Sequence, residues 1–119
     1  QAKGRPHAKA LLALSRNEAA AGNLKRAVPY AQRVYNVYRA YPELAAEAYW
    51  MSALQLEALG EPVMAYKTLE EMLSDPKIEN LPLSEEAEQK RLSLLESLPE
   101  GALDETNTET AEVTQEVVQ

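Results

Sequence analysis

Ala8, Leu11, Leu12, Ser15 and Ala19 recur at steps of three and four, the period that puts side chains on one face of an α-helix. The spacing predicts a first helix over 6–21. Pro6 suits its first turn, where a missing N–H would have no partner anyway. Gly22 stops it, because glycine adopts the left-handed backbone that closes helices. Asn23 is placed to cap a second helix over 24–41, whose stripe is Leu24, Ala27, Ala31, Val34, Tyr35 and Tyr38. Pro42 ends it, since the residue before a proline avoids the helical region. A third helix over 43–59 offers Leu44, Ala45, Ala48, Trp50, Met51, Leu54 and Ala58 for burial and stops at Gly60. A fourth, over 61–74, takes Pro62 into its first turn and buries Ala65, Leu69, Met72 and Leu73, with Asp75-Pro76 as its breaker. "KIENLPL" reads as a loop. Ser84 is placed to cap a fifth helix over 85–98, with Glu85 and Glu86 favourably set against the helix dipole. Its expected stripe is Ala87, Leu92, Leu95 and Leu98, ended by Pro99 and Gly101. Pro29 breaks the pattern, because a proline past the first turn removes a backbone bond and costs about 3 kcal/mol in a regular helix.

The punctuation is written twice. "GNLKRAVPYAQRV" from Gly22 and "GEPVMAYKTLEEM" from Gly60 stand 38 residues apart and place alanine, then two apolar residues, at matching steps. Each short helix is marginal alone and must bury its stripe on a neighbour. Helix, glycine, helix, proline therefore reads as antiparallel hairpins stacked on each other, an all-α architecture closed by the fifth helix. The pattern Gly60, Ala65, Leu69, Met72, Pro76 resembles the second helix of the tetratricopeptide repeat (TPR) family, and Gly22, Ala27, Ala31, Val34, Pro42 follows it more loosely. Ala53 and Ser15 match the small residue at which paired helices of that family touch. The resemblance covers about residues 8–98 and departs in length, with 38 residues between units against the family's 34. It implies a right-handed helical-hairpin solenoid of about two repeats plus a C-terminal capping helix, five helices in all. It also implies a non-catalytic scaffold that binds a peptide or protein on its concave face. The extra turn in "VYNVYRAYPELAAEA" resembles repeats of bacterial cell-envelope proteins and implies a periplasmic or envelope location.

Composition adds restraint. The apolar residues are mostly Ala and Leu, which favour helix. With no Cys and a single His in 119 residues, no thiolate metal site, disulfide or cysteine nucleophile is available. No run approaches the length of a membrane span. A chain opening on Gln1 reads as an excised or processed fragment. Residues 1–41 carry eight basic side chains against one acid, Glu18, while residues 42–119 carry four basic and eighteen acidic ones. That polarity suits an acidic partner for the first half. It equally suits a weak head-to-tail homo-oligomer, the alternative function. Residues 1–99 read as the repeat domain. Residues 100–119 carry six acids and no base and read as a disordered tail, with Val113, Val117 and Val118 scattered along it.

Candidate chemistry is sparse. His7 lacks convergent partners and reads as incidental. Glu70 and Glu71 point about 100° apart on a helix and cannot serve one atom together. No phosphate-cradling glycine loop or nucleophile elbow occurs, so neither an enzyme nor a cofactor is expected. The basic residues are spread around both first helices, which argues against nucleic acid. Six aromatics fall between Tyr30 and Trp50. Tyr35, Tyr38 and Tyr49 are placed to meet where the hairpins stack. Tyr38, Tyr49 and Trp50, with Arg33 and Arg39, are the candidate partner-binding residues, since Tyr, Trp and Arg dominate binding hot spots.

Overall fold

The computed structural model describes residues 4–104. The expectation of a disordered tail falls outside them from residue 105 onward. Five helices follow in order: α1 (Gly4–Ala20), α2 (Leu24–Val37), α3 (Pro42–Ala58), α4 (Pro62–Leu73) and α5 (Leu83–Ser97). Helical backbone resumes over residues 102–104, with Leu103 packed against the core. The expected count of five is therefore one segment short. No strand occurs among the described residues.

The sequence repeat is a structural repeat. α1 and α3 each span 17 residues, and their first residues, Gly4 and Pro42, stand 38 apart, as do Leu24 and Pro62 at the starts of α2 and α4. The turns are the same turn. Gly22 and Gly60 take φ values of 85° and 82°. The Asn23 amide donates to the Glu18 carbonyl at 2.8 Å, and the Glu61 amide to Leu56 at 2.9 Å. This is the six-to-one bond of a left-handed helix stop.

Consecutive helices pack on each other, and α3 also touches both α1 and α5. Between α2 and α4 there is no close approach. The odd helices thus lie side by side in one layer, and the even ones form a second layer. The core runs along the seam between the layers, through Leu11, Val34, Tyr49, Leu69 and Met72. At its centre Ser15 is fully buried. Its hydroxyl donates to the Ala27 carbonyl at 2.7 Å and accepts from Gln55 Nε2 at 2.9 Å, so one small polar residue ties α1, α2 and α3 together.

Ala53, the counterpart of Ser15, is 1% exposed. Ala53→Leu is expected to overpack this site and cost about 1–3 kcal/mol. An unchanged midpoint in urea denaturation would show that α3 does not lie against its neighbours in this register.

Several boundaries move. α2 ends at Val37 rather than at Tyr41, with the Tyr38 amide bonded to the Val34 carbonyl at 2.8 Å. Pro42 opens α3 as its first residue, where its fixed φ is already helical. Asn23 sits at the start of α2 but its side chain does not cap; its Nδ2 donates to Glu18 Oε1 at 2.9 Å. α5 starts at Leu83, and the Ser84 hydroxyl donates to the Ile78 carbonyl at 2.6 Å instead of capping. The buried stripe of α5 is Ser84, Ala87 and Leu94, while Leu92 and Leu95 stay 45% and 40% exposed. Ala19, Leu24 and Leu73 are only half-buried, and Leu54 and Ala58 are exposed. α2 runs on through Pro29. The bond lost there belongs to the Lys25 carbonyl, and both residues are exposed, so the defect lies on the solvent side.

Candidate protein-binding face

The five candidate binding residues do not make one exposed face, although the Arg39 charge acts on the Tyr49 phenol. Tyr49 is 1% exposed. Its ring stacks on Tyr35 at 3.9 Å between centroids and 13° between planes, and its hydroxyl donates to Glu71 Oε2 at 2.8 Å. Burial raises the phenol's pKa, and the neighbouring Glu71 carboxylate raises it further. Tyr49 is therefore a packing residue and has no surface to offer a ligand. Tyr35 behaves alike, its phenol pushed up by burial. Glu71, weighed as half of an acid pair, is taken up as the acceptor for Tyr49.

Tyr38 does not join that stack. At the end of α2 its ring meets His7 edge-on, with centroids 5.4 Å apart, and its hydroxyl shares a hydrogen bond with His7 Nδ1. His7 is thus a tether between α1 and the end of α2. Arg33 is exposed on α2, and Arg39 is exposed in the turn before α3. Of the five, Trp50 alone lies half-buried on the layer of odd helices.

Ion pairs mark the outward side of that layer. Arg5 meets Glu43 at 2.6 Å and Arg16 meets Glu47 at 2.9 Å, joining α1 to α3; Lys90 meets Glu57 at 2.7 Å, joining α5 to α3. The Arg5 guanidinium also lies 4.7 Å over the Tyr41 ring, and its hydrogen bond holds the Glu43 carboxyl below the usual carboxylate range. These pairs are partly exposed, so each contributes about 0–1 kcal/mol and weakens with salt. Their position matters more than their energy. Glu47, Trp50 and Leu54 follow at steps of three and four, one stripe of α3. Trp50 and Leu54, the latter 38% exposed, therefore form an apolar centre on a face whose two sides are bordered by charged pairs. Leu54 was not among the candidate binding residues. Its step of seven from the charged Glu47, two turns along the helix, was the signal that its stripe meets water.

Nothing else in the described residues suggests chemistry. Among the described residues no group of His, Asp and Glu is placed to hold a metal ion. A hollow of about 260 Å³ lies between Leu95, Leu98 and Leu103, where the chain leaves α5; the rest of its lining is Pro99, Gly101, Ala102 and the acids Glu100 and Asp104. No described helix is long and apolar enough to cross a membrane. No family model, curated protein or solved structure matches the chain.

Proposed function

We propose that the chain is a non-enzymatic protein-interaction scaffold of the tetratricopeptide type, which holds a peptide or protein segment against the layer made by α1, α3 and α5. The observation that carries this reading is the half-buried Trp50 beside the exposed Leu54, uncovered in the middle of that layer and bordered by inter-helix ion pairs. An apolar anchor with a polar rim is the usual anatomy of a binding surface. The close approach of odd helices, with none between α2 and α4, supports a solenoid curving toward the odd layer, which makes this its concave face. The structural repeat supports the tetratricopeptide reading, and the resemblance of the segment around Pro42 supports a place in a bacterial envelope. The preferred ligand has an apolar residue for the Trp50–Leu54 centre and acidic flanks for the basic side chains of the first hairpin.

A display selection of random peptides tests this. The wild-type protein is expected to enrich peptides with an apolar residue flanked by acids. The double variant Trp50→Ala, Leu54→Asp is expected to lose those peptides by tenfold or more while keeping its helical content. Equal enrichment by both proteins would refute the assignment.

A further inference from the structure

The side of α1 that faces away from α3 has an unusual composition. Within the chain, Leu44, Ala48 and Met51 lie on the same side of α3 as Gln55, whose side chain bonds to Ser15 of α1. The residues 38 earlier are Pro6, Ala10, Ala13 and Asn17, and Ser52 corresponds in the same way to Leu14. On α1 these positions point away from Ala8, Leu12 and Ser15, which are buried toward α3. They are accessible, Leu14 to 43%, and none is charged. A helix that merely ended a stack would turn a polar face to water. α1 instead presents the same small, apolar and amide pattern that α3 uses to stack.

The other end of the molecule offers what fits there. Leu92 and Leu95 are 45% and 40% exposed on α5, Leu95 at the rim of the hollow it shares with Leu98 and Leu103. Glu85 and Glu88 stand on the same side, a turn or two earlier. We propose that two copies of this chain associate head to tail, with Leu92 and Leu95 of one seated on the Ala10, Ala13 and Leu14 shelf of the other. Size is complementary, leucine against alanine. Charge is complementary too: with α5 laid parallel to α1, as α3 lies, Glu85 comes level with the first turns of α1, which carry Lys9 and Arg5, while Glu88 keeps its pair with Arg91 and Arg5 its pair with Glu43. The contact joins two different surfaces, so it leaves one free end of each kind and extends into short linear oligomers rather than a closed dimer. It uses none of the Trp50–Leu54 face, and the two can be occupied together.

Light scattering on the full chain across a concentration series tests it. The mean mass is expected to climb from one chain to two and beyond at low salt, and to fall back as salt screens the charges. Ala13→Glu and Leu92→Glu both change accessible residues. Each variant alone is expected to stay at one chain. Their equimolar mixture is expected to reach two chains and stop, since Ala13→Glu retains a working tail and Leu92→Glu a working head. Trp50→Ala should associate as the wild type does, which separates this contact from peptide binding. A wild type that stays at one chain throughout would overturn the proposal. So would variants that still associate alone, or a mixture that stays at one chain.

Discussion

Tyr49→Ala is expected to remove about 3–5 kcal/mol of stability, the usual cost of deleting a buried aromatic ring. Three things are lost together. The ring is 1% exposed and lies at the junction of the two hairpins, so its removal leaves a cavity that helices on all sides must collapse to fill. The stack on Tyr35 disappears, an arrangement worth about 0.5–1.5 kcal/mol beyond its area. The hydroxyl bond to Glu71, which links α3 to α4, goes as well. Tyr49→Phe separates these contributions, because it keeps ring and stack and removes only the hydroxyl, at about 0.5–1.5 kcal/mol. Urea denaturation followed by circular dichroism measures both. A loss below 1 kcal/mol for the alanine variant would mean that the ring is not the packing element described.

Ile78→Ala is expected to cost about 2–5 kcal/mol, although Ile78 belongs to no helix. It is fully buried in the connection between α4 and α5. The connection is built to put it there. The Lys77 amide donates to Asp75 Oδ1 at 2.9 Å, the Ile78 amide to the Asp75 carbonyl at 2.9 Å, and the Ser84 hydroxyl to the Ile78 carbonyl at 2.6 Å. Ile78 therefore pins α5 to the stack. Hydrogen exchange in the variant is expected to rise first in α5 and in the Asp75–Leu81 turns, before α1 and α2 respond. Exchange that rises uniformly, or a cost below 1 kcal/mol, would remove that role from Ile78.

These two residues also show what the sequence made legible. All five helices could be placed to within a few residues because each has a periodic stripe and a glycine or proline near its end. The matching glycine turns were visible for the same reason: only a residue without a Cβ takes a φ near +80° cheaply. Ile78 was hidden because a single apolar residue between Lys77 and Glu79 has no period to reveal it. The face of α5 was misread for a physical reason. Leu92, Leu94 and Leu95 offer competing stripes, and the true one passes through Arg91, which looks like a surface residue. Arg91 is half-buried instead, donating to the Tyr66 hydroxyl at 3.1 Å and pairing with Glu88 at 2.8 Å. A long stem covering apolar surface with its charge satisfied at the rim permits this. Tyr49 was misplaced among the binding residues because tyrosine suits core and interface alike. Only its neighbours, Tyr35 and Glu71, decide which. On the outward face of α3, charge spacing carried information that residue type did not: Glu47 seven residues before Leu54 marked a solvent-facing stripe.

Trp50 is the only tryptophan in the chain, so its emission reports the centre of the proposed face without a label. A peptide recovered by selection on the wild-type protein should be titrated into it while Trp50 emission is followed, with binding measured in parallel by calorimetry. A peptide lying across α1, α3 and α5 takes water away from the half-exposed indole. The emission is expected to shift to the blue and saturate at the stoichiometry and affinity that calorimetry gives, with Leu54→Asp weakening both readouts together. Binding that proceeds with full heat and no change in Trp50 emission would place the ligand elsewhere and contradict the account.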